Sequence, residues 1–99
     1  MKIEMLKATA PVVGDRISNV AAGRTFQSTV TGTGQVSATV IIEGSNDLVA
    51  WVTLATLSPS GASPIADAAV SNAAWPNVRA RVTAISGTNA QVAVTLGAV

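Results

Sequence analysis

Apolar and polar residues alternate with a period of two through most of this chain, which predicts strands rather than helices. From Arg24 to Thr31, Phe26, Ser28 and Val30 share one face, and Gln27, Thr29 and Thr31 share the other. From Val36 to Glu43, Val36, Ala38, Val40 and Ile42 point one way. Opposite them Ser37 and Thr39 give way to Ile41, which predicts a strand open on one face at its start and covered on both faces at its end. Gly44 to Asp47 reads as a turn, with Val49 to Leu57 as the hairpin partner and Trp51 assigned to the core. A second hairpin is expected to close the chain. In it Val78, Ala80, Val82 and Ala84 face inward, Arg79, Arg81 and Thr83 face outward, and a Gly-Thr-Asn turn leads to Val92, Val94 and Leu96.

Residues 2–9 predict a first strand with Ile3 and Met5 on one face. Ala10 to Gly23 is punctuated by Pro11, Gly14, Asp15, Asn19 and Gly23 and reads as a connection, anchored to the core by Ile17 and Val20. Thr31 to Gly34 is expected to turn, Ser58 to Pro64 to be a loop, and the Ala-rich Ile65 to Val70 to be a short strand. Ser71 to Pro76 connects it onward, and Trp75 must be extended because it precedes Pro76. Short strands with turn signals every 8–12 residues or so predict an all-β domain, an antiparallel β-sandwich of jelly-roll or Greek-key type. Residues 1–23 form its N-terminal strand, or arm, and connection; residues 24–99 form the sandwich body of what is a single domain.

Composition narrows the chemistry. The 99 residues include no Cys, His or Tyr. Thiol nucleophiles, disulfides and the usual neutral-pH general base are therefore missing together. A Ser–His–Asp arrangement cannot be built, and a Ser–Lys pair would need Lys2 or Lys7 at the chain end. Glu4, Asp15, Glu43, Asp47 and Asp67 are scattered singly, apart from Glu43 and Asp47 flanking one turn. With Asn46 those two have the oxygen chemistry that Ca²⁺ takes. Asn46 and Asp47 are equally turn formers that bond their own backbone, and that reading is preferred. No enzyme activity, metal or cofactor is expected.

Charge is scarce: Lys+Arg 6 against Asp+Glu 5, together 11% of the chain, where roughly 25% is usual for a soluble domain. Hydrophobic residues make up 48%. A small domain this apolar has too little charge to stay dispersed, so partner subunits are expected to cover its exterior, as a homo-oligomer (dimer or trimer). A net charge of +1 gives no footprint for nucleic acid. No apolar run approaches the roughly 20 residues that cross a membrane as a helix. Glu4 and Lys7 interrupt the N-terminal segment where a secretory signal needs an unbroken apolar core, so synthesis and retention in the cytoplasm, with release by lysis, are expected.

Three residues stand out as candidate partner contacts. Arg79 and Arg81, two apart on one strand, project from the same face. They are suited to grip carboxylates of a neighbouring subunit, or to pair within the chain with Glu43 or Asp47. Trp75 either lids the sandwich or presents an exposed platform for a partner or a sugar.

GSNDLVAWVTLATLSPSG, followed by WPNVRARVTAISGTNAQVAVTLG, resembles small structural proteins of tailed bacteriophages. In that group a GSNDG-x-x-W-x-x-L pattern is followed by an aromatic-Pro-x-Val-Arg-x-Arg-Val segment and a Ser/Thr-Gly-Thr/Asn hairpin. The likeness covers the C-terminal two-thirds of the chain, and Leu48 stands where the group has glycine. Related Ser-Asp-Gly-x-x-Trp hairpins also occur in discoidin-like carbohydrate-binding sandwiches. The resemblance implies a virion component: a head decoration or cement protein docked on the major capsid protein, or a small tail-associated domain. The alternative it leaves is a carbohydrate-binding module of a tail or adhesin.

Overall fold

The computed structural model describes residues 2–14, 17–18, 24–71 and 76–98. Every element in it is a strand: β1 (Lys2–Ala8), β2 (Val12–Val13), β3 (Ile17–Ser18), β4 (Arg24–Ser45), β5 (Val52–Leu57), β6 (Ser60–Ala62), β7 (Ile65–Ser71) and β8 (Asn77–Ala98). The chain is thus all-β, and every pairing is antiparallel within one open sheet.

Two strands of 22 residues organise it. β4 and β8 pair with each other along their whole length, from Arg24 opposite Ala98 to Ser45 opposite Asn77. The outer edge of β4 carries β7, β6 and β5 in turn, and the outer edge of β8 carries β1, β2 and β3. Straight strands of that length would span ~70 Å at about 3.3 Å per residue. The longest dimension of the molecule is 39 Å, so β4 and β8 bend together about their middle. Register irregularities between Thr31 and Ser37 mark the bend, with Gly34 at φ 71° and Gly87 at φ 124° beside it.

This bend corrects two expectations. Thr31 to Gly34 does not reverse the chain, and the segments around Gly-Thr-Asn do not form a hairpin; both are crossed by continuous strands. Residues 77–86 pair with the second half of β4, and residues 88–98 with its first half. Glycine and asparagine at positive φ serve a bend as well as a turn, so the local signal is the same for both. The hairpin from Val40 to Leu57 forms, but its second strand starts at Val52 rather than Val49 and the connection runs through residues 46–51; β1, a strand at Ile65–Ser71 and the packing of Ile17 against the core form as expected. Val20 lies outside the described residues.

The core follows the alternation. Phe26, Val30, Val40, Ile42, Val78, Ala80, Val92, Val94 and Leu96 are wholly buried, and Val36, Ala38, Val82 and Leu57 nearly so. Ala84 is an exception: it is exposed. Thr39 pairs with Ala84 but Val40 with Val82, so Thr83 is an extra residue that turns the following side chain to the opposite face. Ser28 shares the buried row of Phe26 and Val30, and its hydroxyl is buried with no hydrogen-bond partner among the described residues. An unsatisfied buried hydroxyl costs about 1–3 kcal/mol. Ser28→Ala is therefore expected to stabilise the fold by about 1 kcal/mol, read as a rise in the urea midpoint at unchanged slope.

Candidate functional site

The register of β4 and β8 builds a charged cluster on the face opposite the core. Glu43 lies across from Arg79 and Ile41 across from Arg81, while Glu43 also faces Thr53 of β5. Arg79 Nε donates a 2.9 Å hydrogen bond to Glu43 Oε1, and Arg81 Nε stands 3.5 Å from the same oxygen. The Glu43 side chain is only 8% exposed, against 24% for Arg79 and 37% for Arg81, so a nearly buried carboxylate lies under two partly covered guanidinium groups. Of the two pairings open to Arg79 and Arg81, the one within the chain is formed, and with Glu43 rather than Asp47.

Trp51 completes the cluster, and its place is a correction. Expected in the core, it is half-buried outside it, with the Arg79 guanidinium carbon 4.0 Å from its ring centroid. Strict alternation back from buried Leu57 would turn Trp51 inward. Ile42 pairs with Ala55 but Glu43 with Thr53, however, so Leu54 is an extra residue. The bulge inverts the parity upstream of it, and Trp51 joins Thr53 and Glu43 on the outer face. There it stacks on Arg79, a cation–π contact worth about 0.5–2 kcal/mol.

The loop between β4 and β5 is tied from within. The Ser45 hydroxyl donates to Asp47 Oδ1 at 3.1 Å and accepts the N–H groups of Asp47 at 3.3 Å and Leu48 at 2.9 Å. Asp47 Oδ1 also accepts the N–H groups of Val49 at 2.9 Å and Ala50 at 3.0 Å. The Ala50 N–H foremost, then the Val49 N–H and the Ser45 hydroxyl, hold the Asp47 carboxyl below its ordinary range. A carboxyl lowered in the folded state stabilises the fold at pH values above its ordinary value, and that contribution fades as pH falls through the lowered one. A carboxyl-carbon NMR titration is expected to give Asp47 a midpoint below 3.8. Glu43 and Asp47, the candidate Ca²⁺ pair, are thus engaged separately, one by the arginines and one by its own turn. Among the described residues no group of three or more acidic side chains is arranged to hold a metal.

Leu48 has φ 66°, the left-handed conformation that glycine adopts without steric cost. A leucine therefore holds here a backbone conformation that glycine would take without strain. A β-carbon there costs about 1–2 kcal/mol, offset in part by the greater freedom glycine gives the unfolded chain. Leu48→Gly is expected to stabilise by about 0.5–1 kcal/mol, seen as a higher melting temperature.

Outside the cluster, large aliphatic side chains face solvent. Val49 is 84% exposed and Val52 50%, with Leu48 at 41%; across the sheet Val13 is 50% and Val12 43% exposed. Pro11, Val12, Val13, Arg81, Val82 and Thr83 line an open groove of about 370 Å³. Sequence reasoning missed both apolar groups. Val12 and Val13 were signalled only by an apolar pair set between Pro11 and Gly14 in a polar connection, and Leu48 and Val49 by an apolar pair following a turn. Trp75, the remaining candidate contact, lies outside the described residues. A scan against protein-family models finds no matching family, and a search of curated proteins finds no matching protein.

Proposed function

We propose that this chain is a non-enzymatic virion structural protein of the head decoration or cement type, which self-associates and binds the assembled shell of a major capsid protein. The observation that carries the reading is the exposure of Val12, Val13, Leu48, Val49 and Val52 on a domain of which only 11% is charged. Scattered exposed aliphatics are ordinary, but few charges surround these to keep copies apart. The likeness of GSNDLVAW and WPNVRARV to small phage structural proteins supports the same reading. The finer architecture belongs with it: a sheet bent at its middle into two facing layers, a sandwich. Two facts favour those layers. Each half of the β4–β8 pair has one row of wholly buried side chains, and Asp67 Oδ2 on β7 accepts the Ser58 N–H at the end of β5 at 3.0 Å.

Such a protein works by mass action, since a ligand that binds only the assembled shell stabilises that shell. The test is co-sedimentation with mature phage heads stripped of their accessory proteins, followed by heating. Saturable binding and a raised disruption temperature are expected; protein that stays in the supernatant at every concentration overturns the reading. The carbohydrate alternative finds no favouring contact among the described aromatics, because Phe26 is buried and one face of Trp51 is taken by Arg79.

A further inference from the structure

We infer that copies of this chain join head to tail, the Asp47–Val49 loop of one seating in the Pro11–Val13 and Arg81 groove of the next. The inference rests on the self-associating reading above and names the two surfaces it uses.

The exposed aliphatics fall into two separate groups rather than one patch. Val12 and Val13 lie on the β8 flank, where β2 pairs for two residues only and then stops. Leu48, Val49 and Val52 lie on the other flank, in the loop leaving β4 and at the start of β5. The strand order β2–β8–β4–β5 keeps them apart. Ser45, where the loop begins, is opposite Asn77, and Arg81 is four residues further along β8, about 13 Å at 3.3 Å per residue. A copy's own loop therefore leaves its own groove open, as the exposure of both groups records.

The two surfaces are complementary in charge as well as in polarity. At the groove, two guanidinium groups share a single carboxylate, which leaves a net positive charge. Arg81 is the less satisfied of the two: its Nε makes no hydrogen bond, standing 3.5 Å from the oxygen that Arg79 already holds, and its side chain, 37% exposed, keeps its outer part open to a partner. It can offer an incoming carboxylate the paired donors that arginine supplies to such groups. The loop presents that carboxylate. Asp47 is exposed, and its three turn hydrogen bonds all end on Oδ1, leaving Oδ2 without a partner among the described residues. Leu48 and Val49 stand beside it to meet Val12 and Val13. Because Ser45 and Asp47 already fix the loop, docking orders little further chain, which lowers its entropic cost. A contact between two different patches is heterologous, so it builds rings where the rotation closes and chains where it does not.

Sedimentation velocity with paired variants tests this. The wild-type chain is expected to exceed dimer mass as its concentration rises from about 10 µM to about 1 mM, the range of a weak interface. Val49→Lys spoils only the loop, by setting a cation against Arg81, and Val13→Asp only the groove, so each alone is expected to remain monomeric. Mixed in equal amounts, they are expected to form dimers that grow no further, because one still has a working loop and the other a working groove. Leu48→Lys with Val12→Asp repeats the test at different side chains, and melting curves confirm that each variant is folded. A mixture that stays monomeric while the wild type associates overturns the head-to-tail contact and leaves self-association standing through another surface. Single variants that associate like the wild type overturn it in the same way. A wild-type chain that is monomeric throughout overturns both.

Discussion

Gly87→Ala is expected to lower the unfolding free energy by about 3–5 kcal/mol, a large part of the roughly 5–15 kcal/mol a domain of this kind possesses. Two costs combine. The backbone at Gly87 has φ 124°, a conformation essentially reserved for glycine. A β-carbon there would also stand 2.8 Å from the Gln35 carbonyl oxygen and 2.8 Å from Val36 Cγ1, and the carbonyl belongs to the backbone of β4, which cannot swing aside. The site lies in the bend, between the Thr33–Thr88 and Ser37–Ser86 pairs, so relief of the clash would have to open the β4–β8 pairing on which both halves of the sheet depend. Gly34 provides the control. It too has positive φ, at 71°, but a β-carbon there would meet nothing within 4 Å. Gly34→Ala should cost only the backbone term of about 1–2 kcal/mol. Urea unfolding of the two variants separates the contributions; equal losses would mean that β4 and β8 do not approach this closely at Gly87.

The same bend explains how much of the fold could be read from sequence. Alternation tells which side of a strand a residue occupies, and it placed Phe26, Val40, Ile42, Val78 and Leu96 on the buried face. It does not tell which strand is the neighbour. Val78–Val82 and Val92–Leu96 were natural hairpin partners because a turn-forming triplet lies between them, yet both pair with β4. Parity, moreover, survives only until the first bulge. Ala84 and Trp51 were misplaced for one reason: Thr83 and Leu54 each add a residue that no composition signal marks. At the site, the outward pair Arg79 and Arg81 and the acids available to them could be named, since no bulge separates Arg79 from Arg81. That Glu43 would be the acid, and nearly buried, depended on a register between residues 36 positions apart, which only the folded chain fixes. The stacking of Trp51 on Arg79 was hidden for the same reason.

Glu43→Ala is the second large effect expected, a loss of about 2–4 kcal/mol. Removing one member of a buried ion pair typically costs about 3–5 kcal/mol, because the charge left behind keeps its desolvation without its partner. Here the stranded groups are two guanidiniums, but at 24% and 37% exposure both retain contact with water, which lowers the figure. Coupling decides whether the number belongs to the cluster. In a double-mutant cycle with Arg79→Met, the second substitution should cost less in the Glu43→Ala background than alone, by about 1–2 kcal/mol, since the charge it removes is by then unpaired. Arg81→Met should couple more weakly, because its 3.5 Å approach forms no hydrogen bond. Trp51→Ala adds a further cycle, in which loss of the stacked ring exposes the Arg79 guanidinium and weakens its bond to Glu43. Additive losses for Glu43 and Arg79 would mean that the carboxylate is held by the sheet alone, and that both arginines are free to face a partner.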